Sequence, residues 1–85
     1  MTETPPRFLL LGRADCPLCE ELYVHVLEAL AGRPAEVESA DVDSRPEWQR
    51  RYGLRIPVLL DAWNEVVCEG RFDAQAFEEA LRARP

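Results

Sequence analysis

Two cysteines, Cys16 and Cys19, stand between a short apolar run and a long amphipathic stretch, a placement that constrains the fold more than any other feature. Arg7-Phe8-Leu9-Leu10-Leu11-Gly12 reads as a buried strand: bulky, uncharged after Arg7, and stopped by glycine. Leu18 to Ala31 reads as a helix closed by Gly32, with Pro34 just beyond. Pro17 fits the first helical turn, where its missing N–H costs nothing. Cys16 therefore sits where a helix starts. Its sulfur faces free backbone N–H groups and the positive end of the helix dipole, which favour thiolate over thiol. At roughly 100° per residue, Leu18, Cys19, Leu22, Tyr23, Val26, Leu27, Ala29 and Leu30 fall on one half of the wheel. Glu20, Glu21, His25 and Glu28 fall on the other. Cys19 lies near the middle of the apolar arc and Cys16 at its edge, which is the arrangement of an exposed attacking thiolate with a buried resolving thiol behind it.

At 85 residues the chain makes one domain with a single core. A hydrophobic fraction of 47% argues for a folded chain rather than disorder. The net charge of −6 argues against nucleic acid or an anionic membrane as main partner. No apolar run approaches the roughly 20 residues of a membrane span. The opening Met1-Thr2-Glu3-Thr4-Pro5-Pro6 reads as a flexible lead-in (residues 1–6) and not as a signal peptide. Three cysteines make an odd count, unlike the even framework of a small secreted domain, and with no export signal read in the sequence the expected location is the reducing cytoplasm; a monomer is expected.

The rest of the chain continues the alternation. Ala35 to Val42 reads as a strand whose Glu36, Glu38 and Asp41 suit a protected sheet edge. Ser44 and Glu47 match a capping box opening a short helix, with Pro46 in its first turn, Trp48 and Tyr52 spaced to pack together, and Gly53 at its end. Leu54 to Leu60 reads as a loop entering a buried strand, with Pro57 its first residue because proline cannot sit inside a central strand. Asp61 to Asn64 is a turn and Glu65 to Glu69 the returning hairpin strand, ended by Gly70. Asp73 caps a last helix running to about Arg82, with Phe72 and Phe77 forming a hydrophobic staple and Phe77, Ala80 and Leu81 the inner face. The order β-α-β-α-β-β-α calls for a mixed sheet with helices on both faces.

This order, with Cys-Pro-x-Cys between the first strand and helix and Ile56-Pro57 opening the third strand, resembles the thioredoxin superfamily and its glutaredoxin branch. It is most similar to the small bacterial glutaredoxin-like proteins. The residues that carry the likeness are Cys16-Pro17-Leu18-Cys19-Glu20, Asp41-Val42-Asp43-Ser44-Arg45-Pro46-Glu47, Tyr52-Gly53-Leu54-Arg55-Ile56-Pro57-Val58-Leu59 and Gly70-Arg71-Phe72-Asp73. The resemblance implies an α/β thioredoxin/glutaredoxin-like fold with a four-stranded mixed sheet over residues 7–85. It implies a cis bond before Pro57, with the Ile56 backbone pairing with bound substrate. It implies that Arg13 stands for the lysine that helps glutaredoxins bind glutathione and depress the thiol pKa. Gly70 and Asp73 match part of the region that holds the γ-glutamyl end of glutathione. Two departures stand out: Glu69 replaces the first glycine of that region, and Leu18 replaces the active-site tyrosine. Asp15 also puts a negative charge beside Cys16, opposing the thiolate. The expectation is weak glutathione binding.

Two functional classes follow. The first is a thiol–disulfide oxidoreductase in which Cys16 attacks and Cys19 resolves, with Arg13, Pro17, Leu18, Ile56, Pro57, Gly70 and Asp73 lining the substrate groove. It needs no metal or organic cofactor, takes a protein or small-molecule disulfide, and uses glutathione as co-substrate or a thioredoxin-type reductant. The second is a non-catalytic interaction module on the same fold, its C-x-x-C idle or metal-binding. A structural zinc site needs four ligands, and only Cys68 and His25 are spare; His25 lies roughly 180° from Cys16 on the wheel. Cys68 reads as a small buried residue of the hairpin, His25 as a surface histidine, and Trp63 as the more exposed of the two tryptophans.

Overall fold

The computed structural model describes residues 4–83. The predicted lead-in over residues 1–6 therefore falls partly outside the described residues; at its end the Pro6 carbonyl accepts the Glu36 N–H at 2.8 Å. Strands β1 (Arg7–Gly12), β2 (Glu36–Asp41), β3 (Val58–Leu60) and β4 (Val66–Glu69) form one sheet in the order β2-β1-β3-β4. β2 runs parallel to β1, whereas β3 is antiparallel to both β1 and β4. Helices α1 (Pro17–Leu30), α2 (Pro46–Tyr52) and α3 (Ala74–Ala83) complete the predicted order.

Side chains that alternate along β1 and β3 point to opposite faces, and they divide the interior in two. Phe8, Leu10 and Leu59 join Leu22, Val26 and Leu30 of α1, Cys68, and Phe77 of α3. Leu11, Val58 and Leu60 join Val42 and Tyr52, with Trp48 packed alongside. Helices α1 and α3 thus cover one face and α2 the other, as the sequence predicts. Phe77 is the pivot of the larger cluster, its ring 5.0 Å from Phe8 and 5.6 Å from Phe72. The second contact is the predicted staple, and Asp73 caps α3 by accepting the Ala76 N–H at 3.0 Å.

Several boundaries differ from the sequence reading. The β3 strand begins at Val58, one residue after Pro57, whose carbonyl accepts the Gly70 N–H at 2.7 Å. Strand β4 begins at Val66 because Glu65 is spent closing the turn: its carbonyl accepts the Asp61 N–H and its own N–H donates to the Asp61 carboxylate. The pairing shifts between Leu59 and Leu60, and this bulge lets the neighbours Val67 and Cys68 pack on the same cluster. The Ser44–Glu47 capping box does not form. A short 3-10 helix, Val42–Ser44, intervenes, capped by the Asp41 carboxylate on the Asp43 N–H, and the Ser44 hydroxyl donates to the Asp41 carbonyl at 2.6 Å. With its side chain turned back toward Asp41, Ser44 belongs to the 3-10 turn and not to α2, whose N-cap is Arg45 without a side-chain bond. On α1 the buried stripe is narrower than the apolar arc: Cys19, Leu22, Val26 and Leu30 are buried, while Leu18, Tyr23 and Leu27 are exposed.

Candidate functional site

Cys16 is the N-cap of α1, with extended backbone, and its Sγ accepts the Cys19 N–H at 3.2 Å. Its carbonyl accepts the Glu20 N–H at 3.1 Å, so the helix starts at the residue that carries the sulfur. An N–H donor and the positive helix end act on one atom, and both favour negative charge there. The preceding turn is made by Ala14 and Asp15; Asp15 holds φ +57°, a left-handed conformation that a short polar side chain tolerates. Cys16 is half-buried, Cys19 is 7% exposed, and the two are joined by a disulfide with Cα atoms 5.2 Å apart. The exposure order inferred from the wheel is the one observed.

Cys19 is held against the end of β1. A Cβ built on Gly12 would come within 2.9 Å of the Cys19 Sγ and 3.1 Å of its Cβ. Gly12 therefore does more than stop a strand: its missing side chain is the space in which the second sulfur sits. A glycine directly before a C-x-x-C loop was the available signal.

The loop that enters β3 lies beside the end of β1, because Leu11 pairs with Val58. The Ile56–Pro57 bond is cis, as the resemblance implies, with Pro57 buried and Ile56 half-buried. Gly70 reaches this loop through its N–H on the Pro57 carbonyl and holds φ +76°, where a side chain would be strained. Leu18 and Gly70 meet in a groove of about 330 Å³ with Glu21, His25, Arg71 and Phe72. His25 is exposed but not simply solvated: its ring stacks on Phe72 at 5.8 Å, and its Nδ1 lies 3.7 Å from Glu28. Pro17 is exposed at the start of α1. Asp73 is committed to capping α3.

Two arginines are placed differently from a sequence reading. Arg13 spends its guanidinium within the chain: Nε and Nη2 donate to Asp43 Oδ2 and Oδ1 at 2.7 and 2.9 Å, and Nη1 donates to the Gly53 carbonyl at 2.9 Å. Hydrogen bonding to Arg13 holds the Asp43 carboxyl below its ordinary range. Glu69, which replaces a glycine of the glutathione-binding region, is forked by Arg55, whose Nη2 and Nε donate to its two oxygens at 2.6 and 3.0 Å. Those hydrogen bonds lower the Glu69 carboxyl likewise. Neither Asp43 nor Arg55 stood out as functional in the sequence. The clue for Arg55 was the hairpin, which sets Val58 opposite Glu69 and so brings the two charges to one end of the strand pair.

Cys68 is free and buried in the larger cluster, and burial pushes its thiol up. Among the described residues no group of three or more His, Cys, Asp or Glu side chains is placed to hold a metal ion, and no helix is long and apolar enough to cross a membrane.

Comparison with known proteins places this geometry in a group. The family model described as "Glutaredoxin-like domain (DUF836)" matches residues 7–82. The X-ray structure of target protein XcR50 from X. campestris is 32% identical, covering 92% of this chain and 99% of that one, with a TM-score of 0.70. Its solution structure agrees, with a TM-score of 0.68. The solution structure of Ne2328 from Nitrosomonas europaea has a TM-score of 0.84 at 24% identity, covering 95% of this chain and 96% of that one, a likeness of fold. No curated protein matches the sequence.

Proposed function

The chain belongs to the glutaredoxin-like domain (DUF836) family, and on that premise we propose that it is a thiol–disulfide oxidoreductase in which Cys16 attacks and Cys19 resolves. The observation that carries the reading is the Cys16 sulfur at the α1 N-cap, bonded to the Cys19 N–H and bridged to a buried second sulfur. In the reduced protein the Cys16 thiolate attacks one sulfur of a substrate disulfide. The substrate S–S bond breaks, a mixed disulfide forms, and the departing sulfur leaves as a thiolate that takes up a proton. Cys19 loses its proton and attacks Cys16, releasing the second substrate sulfur and closing the intramolecular bridge. Two electrons and two protons pass to the substrate. A thiol reductant, glutathione or a thioredoxin-type dithiol, returns the protein to its reduced form.

Leu18, Ile56, Pro57 and Gly70 frame the groove in this reading, with Pro17 at its rim. The groove favours a protein or peptide disulfide over glutathione. Arg13 and Arg55, the cations nearest in sequence to Cys16 and Pro57, are both engaged by carboxylates, which leaves Arg71 as the cation of the groove toward a small tripeptide of net negative charge. An unpaired, buried Cys68 suits a reducing compartment such as the cytoplasm. The test is turnover of a peptide disulfide by wild type, Cys16→Ser and Cys19→Ser. Wild type turns over, Cys16→Ser does not, and Cys19→Ser accumulates the mixed disulfide. Equal turnover by Cys16→Ser and wild type would refute the assignment.

A further inference from the structure

We infer that Arg13 is a positioning residue: by tying Asp43 and the Gly53 carbonyl to the loop that presents Cys16, it fixes the gap between that loop and the one carrying Pro57. The inference rests on the reading above, in which those two loops are the walls of the substrate groove. Arg13 lies in the loop between β1 and α1, three residues before Cys16. Gly53 closes α2, and the chain runs directly from it through Leu54 and Arg55 to Ile56-Pro57. One side chain thus joins the nucleophile's loop to the start of the opposite wall.

All three guanidinium nitrogens are engaged. Nε, Nη1 and Nη2 each donate to a separate oxygen, and Asp43 Oδ1 also accepts the Gln49 Nε2 at 3.1 Å. Asp43 is fixed in turn from behind, its own N–H donating to the Asp41 carboxylate at 2.8 Å. A Cβ on Gly53 would clash first with the Gln49 carbonyl oxygen and would only touch Arg13 Nη2, at 3.4 Å, so the glycine is required by the end of α2 and sits directly under the guanidinium. The same loop is held further along by the Arg55–Glu69 fork. A planar fork with this geometry suits arginine, and a lysine ammonium could not serve three oxygens in this arrangement. Half-exposed ion pairs add little to global stability, so the consequence of this one is local: the relative placement of two loops.

The alternative, that Arg13 acts as a free cation on the thiolate or on a bound anion, predicts the opposite sign in one variant. The experiment compares wild type, Arg13→Ala, Asp43→Ala and the double variant, with Asp43→Asn as a conservative control of folding. Four quantities are measured: kcat/KM for a peptide disulfide, Cys16 alkylation by iodoacetamide, thermal stability, and amide exchange at residues 13–16 and 53–56. Loss of the clasp lowers kcat/KM about tenfold in each single variant, because small misplacements of reacting groups are costly. The double variant falls no more than about twofold further, since the partners act as one unit. Alkylation by the small reagent stays within about twofold of wild type in both single variants, because the clasp does not touch the sulfur. Exchange quickens in both loops together. A rise in kcat/KM or alkylation in Asp43→Ala alongside a fall in Arg13→Ala would overturn the inference, as would additive losses or unchanged exchange. Wild type that turns over no disulfide would refute the proposed function, whereas the exchange comparison still decides the clasp.

Discussion

Replacing Gly12 by alanine tests how closely the second sulfur is seated. The added methyl would stand 2.9 Å from the Cys19 Sγ and 3.1 Å from its Cβ, closer than carbon and sulfur tolerate, so Cys19 or β1 must move. Inserting a methyl into a packed site costs about 1–3 kcal/mol. In the oxidised protein the Cys19 sulfur is tethered to Cys16 and must bear that cost. In the reduced protein it is free to turn to another rotamer and relieve most of it. A penalty confined to the oxidised form weakens disulfide formation about five- to 150-fold. The two-electron reduction potential then becomes more positive by about 20–65 mV. The assay is equilibration of wild type and Gly12→Ala in glutathione buffers, with oxidised and reduced species counted by mass. Gly32→Ala serves as control: nothing lies within 4 Å of its added carbon, but its φ of +79° disfavours a side chain. It should lose about 1–2 kcal/mol of stability in both redox states and leave the potential unchanged. A potential in Gly12→Ala equal to wild type, or more negative, would refute the reasoning.

Four further outcomes follow from the same geometry. In the reduced protein Cys16 alkylates faster than Cys19, and Cys68 reacts only after denaturation because it is buried; peptide mapping after timed alkylation checks the order, and a fast Cys68 would contradict it. Glu69→Gly strengthens glutathione binding, now chiefly by releasing the Arg55 guanidinium as well as removing a carboxylate; chemical-shift titration of the reduced protein measures it, and no change would show that the groove lies elsewhere. Phe77→Ala empties the centre of the larger cluster and costs about 3–5 kcal/mol, read by denaturant unfolding. Asp43, Glu69 and Glu78 have carboxyls lowered by hydrogen bonds from Arg13, Arg55 and Arg33. Their contribution, small because the pairs are exposed to solvent, is complete above the ordinary carboxylate range near pH ~4 and is lost as pH falls through the lowered folded values; Asp43→Asn, Glu69→Gln and Glu78→Gln combined should therefore flatten the acid limb of a stability–pH profile only slightly.

Much of this was legible in the sequence because it is written in local periodicities. The uncharged run of β1, the two cysteines at the start of α1 and the Phe72–Asp73–Phe77 staple each lie within a few residues, where spacing decides contact. The charged side chains were read less well for the opposite reason. Arg13 and Asp43 are 30 residues apart and Arg55 and Glu69 are 14 apart, so their pairing depends on how the loops meet and not on any local pattern. The partner of Glu69 arrives across the hairpin, where no local spacing announces it. The capping box at Ser44 failed through local competition: a serine hydroxyl bonds backward to close a 3-10 turn as readily as forward to open a helix. On α1, Leu18, Tyr23 and Leu27 have the composition of a core but lie at the edges of the arc, which the sheet does not reach. Leu18, two residues after Cys16, is 50% exposed.

The central claim, that Cys16 and Cys19 form a working dithiol couple, is tested most directly by redox titration of the whole protein against glutathione, followed by intact mass and peptide mapping. The account predicts one reversible transition in which two hydrogens are lost together, with a Nernst slope of about 30 mV per tenfold change. The loss maps to the Cys16–Cys19 peptide, and Cys68 remains a free thiol throughout. Sulfurs that stay reduced across the accessible range, or a transition that maps to Cys68, would contradict it.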